Sequence, residues 1–201
     1  MTDGLTRVKL TRRSIPNIIT SIRLFLLIPL SFYLSKEDYT TALYIFFIAG
    51  FSDALDGYLA KKYNWTSHFG SVLDPLADKA LLVISMAILT LNSKIDFLLF
   101  SLVVIRDVYI VFGAYLYHRK FGKYQMKPSI YSKLNTFFQI SMVTLLLLSL
   151  GYQNLSTSIF ITFNWIIYLT LFISTLHYTI IWGGRYFSKN SPSELRQHSD
   201  K

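Results

Sequence analysis

Long apolar stretches broken by short polar punctuation dominate this chain. Six of them have the length a helix needs to cross about 30 Å of hydrocarbon at 1.5 Å per residue. They cover residues 15–34, 40–59, 74–91, 97–117, 130–150 and 158–182. The connectors are brief and carry turn or polar residues: Ser35-Lys36-Glu37-Asp38, Asn92-Ser93-Lys94 and Gly151-Tyr152-Gln153-Asn154. There is no internal repeat and no Gly/Ser linker. The pattern predicts an all-α integral membrane protein with six transmembrane helices, preceded by an N-terminal juxtamembrane amphipathic segment. One domain is expected over 1–187, with a polar, disordered tail over 188–201.

Composition agrees with that reading. Of 201 residues 52% are hydrophobic and 15% charged, and the mean hydropathy is +0.40, which suits a membrane more than a soluble domain. With no cysteine, disulfides and thiolate metal sites are excluded. The net charge of +9 would favour nucleic acid in a soluble protein. Here the cations cluster beside apolar spans, which fits anionic lipid headgroups and no nucleic-acid partner. The basic run Arg7–Arg13 leads into an apolar span without a small-residue cleavage site, so no cleavable signal is expected.

The same cations predict an orientation. Arg7, Lys9, Arg12, Arg13, Lys61, Lys62, Arg119, Lys120, Lys123, Lys127, Arg185, Lys189, Arg196 and Lys201 fall on one side of the six-span arrangement. Lys36 and Lys94 fall on the other. The positive-inside rule then places both termini in the cytoplasm, as in a multi-pass protein of an inner or cytoplasmic membrane.

Charges inside the apolar stretches change the picture most. A carboxylate at membrane depth must be paired, bound to metal or facing water. Asp53 and Asp56 are i,i+3, and Asp74 and Asp78 are i,i+4, so each pair shares a helical face. Two such faces turned together would make an all-oxygen box suited to Mg²⁺ or Mn²⁺, and hence to phosphoryl chemistry. Four cations also lie within spans: Arg23, Lys79, Arg106 and Lys133. Each could snorkel to the interface. Arg106 is next to Asp107 near a helix centre, which favours a cavity or an internal pair. His68, His118, His177 and His198 are scattered and form no ligand cluster; packing is expected for His177. No P-loop, dinucleotide fingerprint or Ser-His-Asp arrangement is readable.

The motif D-x2-D-G-x2-A-K-x8-G-x3-D-x3-D, set by Asp53, Asp56, Gly57, Ala60, Lys61, Gly70, Asp74 and Asp78, resembles the signature of the CDP-alcohol phosphotransferases. The resemblance is densest over 53–78 and looser from Ile15 to His177. Lys61 departs from it, since most members carry Arg there; a lysine offers a point charge rather than a bidentate fork. The resemblance implies two divalent cations, Mg²⁺ or Mn²⁺, held by Asp53, Asp56 and Asp74 with Asp78 contributing. It implies that Asp78 is the general base on the acceptor hydroxyl. Nucleotide binding would use Asp53, Asp56, Gly57, Ala60, Lys61, Gly70 and Asp74, with the small residues admitting the cytidine and ribose. Helix packing is the plain alternative for Gly57. A homodimer and a membrane-embedded reaction on CDP-diacylglycerol are implied as well.

Three segments bear on the acceptor. Ile15–Arg23 resembles the opening of the phosphatidylglycerophosphate synthases and the related cardiolipin synthases. Ile105-Arg106-Asp107-Val108 and Lys127–Gln139 are most similar to the cardiolipin synthases of the family. That resemblance implies transfer of the phosphatidyl group to phosphatidylglycerol, giving cardiolipin and CMP. Arg106, Lys127 and Lys133 would contact the anionic acceptor lipid. Glycerol-3-phosphate is also anionic, so a phosphatidylglycerophosphate synthase is the alternative. A small transporter is a remote one, because the carboxylates gather at one boundary and no broken-helix repeat is visible.

Overall fold

The computed structural model describes residues 15–63, 70–121 and 129–189. They form six helices: α1 Ile15–Ser35, α2 Tyr39–Tyr63, α3 Gly70–Leu91, α4 Phe97–Phe121, α5 Ile130–Gly151 and α6 Thr157–Lys189. The described residues contain no strand. The proposed juxtamembrane segment lies outside the described residues, as does the tail from residue 190.

Helix starts and stops follow local chemistry. Asp38, Asp96 and Ser129 stand just before α2, α4 and α5. Their side-chain oxygens accept hydrogen bonds from the backbone N–H groups of Thr41 (3.1 Å), Leu98 (3.2 Å) and Ser132 (3.1 Å). α1 and α3 each end on a residue with positive φ, Glu37 at 58° and Ser93 at 57°. The N–H of Asp38 reaches back to the Tyr33 carbonyl and that of Lys94 to the Leu89 carbonyl, which makes each stop a Schellman motif. The Asn92 amide also donates to the Leu34 carbonyl at 2.9 Å, tying one stop to the other.

Four helices run further than the apolar pattern predicts, α4 by reaching Phe121 instead of stopping at Tyr117. α2 continues to Tyr63 and α3 begins at Gly70, so the whole carboxylate motif is helical where the structure describes it. α6 passes Trp182 and reaches Lys189, taking in two residues expected in the tail. Polar residues do not stop a helix that already has its hydrogen bonds, and Pro192 is the next proline in the sequence.

Among the described residues, three helical stretches are long and apolar enough to cross a membrane: Phe97–Leu116, Ile130–Gly151 and Thr157–Ile181. The described apolar stretches of α1 and α2, Ser21–Ser35 and Tyr39–Ser52, are shorter. α2 carries Asp53, Asp56, Lys61 and Lys62 in its later turns. α3 likewise carries Asp74, Asp78 and Lys79 in its early turns.

Two compact units are present, and α5 contributes to both. In the first, α1 packs on α2 and α3, and α2 packs on α3. Its core is built from Leu27, Leu30 and Leu34, then Ala42, Phe46 and Ala49, then Leu81, Met86 and Leu89. Ala42 and Ala49 sit two turns apart on one stripe, where small side chains permit close approach. The carbonyl of Gly151 accepts the Thr40 hydroxyl at 3.0 Å. A Cβ at Gly151 would lie 3.1 Å from Thr40 backbone atoms. In the second unit α4 packs on α6. The buried stripes there are Leu99, Val103 and Arg106, then Asn135, Gln139 and Met142, then Ile167, Leu171, Ser174 and Tyr178. Each repeats at i, i+4, i+7, as a buried helix face does.

Candidate active site

Asp53, Asp56, Gly57, Ala60 and Lys61 lie on α2, and Gly70, Asp74 and Asp78 lie on α3. The helices that carry the motif are therefore neighbours within one unit. The side chains of Asp53, Asp56, Lys61 and Asp74 lie outside the described residues, and so does all of Lys127.

Asp78 is described, and its partner is Arg23 of α1. Arg23 Nη1 donates to Asp78 Oδ1 at 2.5 Å. The Arg23 side chain is fully buried, whereas that of Asp78 is 43% exposed. A guanidinium withdrawn from water needs such a counter-charge. Arg23 therefore does not snorkel; it anchors the last carboxylate of the motif. The sequence shows Arg23 as an in-span cation but not its partner. The signal was its depth, two to three turns into an apolar helix, which demands an acid on a neighbouring helix.

A second polar centre occupies the other unit. Arg106 is 5% exposed and makes the internal pair that its sequence position allowed: Nη1 donates to Asp107 Oδ1 at 2.9 Å. Its Nη2 donates to the Ser132 hydroxyl of α5 at 2.7 Å and to the Ser174 hydroxyl of α6. Its Nε is buried without a partner. One turn along, Thr170 donates to Asn135 Oδ1 at 3.0 Å. Asn135 Nδ2 and both polar atoms of Gln139 are buried with no partner. Ser132, Asn135 and Gln139 fall in the Lys127–Gln139 segment but carry no separate role in the sequence, and neither does Ser174; Asn135, Gln139 and Ser174 lie on the buried stripes. Lys133 is exposed at the start of α5 and is not part of this centre. His177 packs edge-on to Tyr131 at 5.2 Å, as expected for a packing residue, with Nδ1 buried and unpartnered.

Comparison with known proteins decides the class. The family model for CDP-alcohol phosphatidyltransferase matches residues 13–176. The chain belongs to the CDP-alcohol phosphatidyltransferase family. Among curated relatives, the CDP-diacylglycerol–glycerol-3-phosphate 3-phosphatidyltransferase of Aquifex aeolicus is 35% identical over 144 residues, 70% of this chain and 77% of that protein. The human cardiolipin synthase (CMP-forming) is 32% identical over 168 residues, 76% of this chain and 56% of that protein. A cardiolipin synthase/mitochondrial hydrolase fusion protein of Schizosaccharomyces pombe is 38% identical over 150 residues, 67% of this chain and 25% of that protein. The chain thus spans about half of the human relative and a quarter of the fusion protein. Phosphatidyltransferases of both kinds are similar to it, and it is a membrane-embedded member of a lipid-processing enzyme family.

Proposed function

We propose that this phosphatidyltransferase moves the phosphatidyl group of CDP-diacylglycerol to phosphatidylglycerol, giving cardiolipin and CMP. The complete motif on two adjacent helices, α2 and α3, inside a family match covering most of the chain, carries the phosphatidyl-transfer reading, and the choice of phosphatidylglycerol rests on the resemblance of Ile105–Val108 and Lys127–Gln139 to the cardiolipin synthases. Four carboxylates offer only hard oxygen donors, and the described one, Asp78, is partly exposed. That donor set fits Mg²⁺ or Mn²⁺ held by Asp53, Asp56, Asp74 and Asp78. When bound, two such cations neutralise a pyrophosphate and make a nearby hydroxyl more acidic.

The chain's own residues then have distinct tasks. Gly57, Ala60 and Gly70 present little bulk to the nucleotide, and Lys61 offers it a cation. Arg23 fixes the Asp78 carboxylate, which takes the proton of the acceptor hydroxyl. The freed oxygen bonds to the phosphatidyl phosphorus as the bond to the CMP oxygen breaks. Arg106, Lys127 and Lys133 supply positive charge for the acceptor phosphate. Six membrane-crossing helices with both termini and the active site cytoplasmic, and a homodimer, complete the reading.

Glycerol-3-phosphate is the second acceptor to consider, because the Aquifex aeolicus relative is named for it. Purified protein supplied with CDP-diacylglycerol, Mg²⁺ or Mn²⁺ and each acceptor in turn tests the choice. Cardiolipin and CMP from phosphatidylglycerol are expected. Phosphatidylglycerophosphate from glycerol-3-phosphate alone would reassign the acceptor.

A further inference from the structure

Between α4 and α6 lies a groove of about 460 Å³. Leu102, Ile105, Leu171 and Phe172 give it apolar walls, with Arg106 and Thr175 bordering it. Two tyrosines pin the flanking helices together. Tyr109 shares a 2.9 Å hydrogen bond with Thr179, and Tyr168 donates to Asp96 at 3.3 Å. Both helices are apolar enough to cross a membrane, and Ile105 and Phe172 are largely exposed. The groove therefore opens toward hydrocarbon rather than water.

Among the described residues lining it, Arg106 is the one that carries a charge. It is almost fully buried, and its Nε–H has no partner. A donor left unmade where water is scarce is unfavourable, so it suits an acceptor that arrives with a ligand. Asp107 pairs with the guanidinium through Nη1. An apolar crevice beside a spare guanidinium N–H matches an amphiphile with an oxyanion at the base of its chain.

We infer that this groove seats an acyl chain of the acceptor phospholipid, with its phosphate toward Arg106. The inference rests on the acceptor reading above and deepens it. A lipid acceptor needs a lateral seat for its chain, whereas glycerol-3-phosphate has no chain to place. The donor pyrophosphate is assigned to the carboxylate motif and has no call on Arg106.

Groove-filling variants of the full-length protein in detergent test this, with Leu102→Trp as the first and Ile105→Trp as the second. The Michaelis constant for phosphatidylglycerol should rise roughly tenfold, while that for CDP-diacylglycerol stays within about twofold. Turnover of deacylated glycerophosphoglycerol should be unchanged. Native mass spectrometry from mixed phosphatidylglycerol/phosphatidylcholine micelles should show wild type retaining phosphatidylglycerol and the variants losing it. An unchanged acceptor constant and unchanged retention in both variants would overturn the assignment. So would a parallel rise in the donor constant, or equal retention of phosphatidylcholine, which would mark a generic lipid crevice. An enzyme that uses glycerol-3-phosphate alone yet retains phosphatidylglycerol selectively overturns the acceptor role and leaves a lipid groove. Loss of both overturns both.

Discussion

Arg23 of α1 holds Asp78 of α3 through a 2.5 Å ion pair, with the guanidinium buried and the carboxylate partly exposed. The contact joins an in-span cation to the last position of the carboxylate motif. It gives Asp78 a fixed orientation without removing it from solvent. Asp78→Asn and Arg23→Ala should each lower thermal stability, and together they should cost less than the sum. A double-mutant cycle should return a coupling of about 1–3 kcal/mol. Asp78→Asn should also lose turnover beyond its loss of folded protein. Additive stability effects would show that the pair carries no coupling.

The other three carboxylates are expected to behave as ligands rather than as packing residues. Asp53→Asn, Asp56→Asn and Asp74→Asn should each abolish CMP release while the protein still extracts and purifies as wild type does. Mn²⁺ binding followed by electron paramagnetic resonance gives a readout apart from turnover, and each variant should bind less. Wild-type activity in any one of them removes that residue from the site.

Much of this was legible in the sequence, and the reason is periodicity. Apolar runs with short polar connectors located all six helices, and the motif spacing located the family. Boundaries slipped where charge interrupts an apolar helix, as at Lys61 and Lys62 in α2 and near Asp74 in α3. The partner of Arg23 was not legible, because Asp78 is distant in sequence and no local rule links them. The same holds for Ser132 and Ser174 around Arg106. Asn135 and Gln139 were hidden among apolar neighbours, although their place on an i, i+4, i+7 stripe marks them as buried.

Asp38 gives one pH-dependent term outside the apolar stretches. Hydrogen bonds from the Thr41 hydroxyl and then its backbone N–H lower the Asp38 pKa below its ordinary 3.8. A depressed carboxylate contributes stability that is fully present above the unfolded-chain value. That contribution is lost as pH falls below 3.8 through the folded-state value. Asparagine is also a good N-cap, so Asp38→Asn should keep the helix start and lose this dependence. Melting temperature measured against pH in acid should fall less steeply for the variant. Identical slopes would mean that the cap carries no such linkage.

Orientation is open to direct labelling because the chain has no cysteine of its own. A cysteine replacing Lys123 should react with a membrane-impermeant reagent only from the cytoplasmic side. One replacing Asn154, between α5 and α6, should react only from the opposite side. The reverse pattern would place the carboxylate motif away from soluble nucleotide.

Acceptor recognition should separate Arg106 from Lys133. Arg106 is buried and hydrogen-bonded to three side chains, while Lys133 is exposed at the start of α5. A planar guanidinium in such a cage cannot be replaced by an ammonium, which presents its donors in a different geometry. Arg106→Lys should therefore raise the Michaelis constant for phosphatidylglycerol by at least about tenfold, with a smaller effect on that for CDP-diacylglycerol. Lys133→Gln should raise the acceptor constant by only a few-fold, roughly the worth of one solvated charge, and the effect should shrink in salt. Because Arg106 also holds Ser132 and Ser174 together, its variant should melt lower, so kinetics must be read per folded enzyme. Equal rises in the donor and acceptor constants for Arg106→Lys would assign the residue to structure rather than to the acceptor. A larger acceptor effect at Lys133 than at Arg106 would move acceptor recognition to the exposed end of α5.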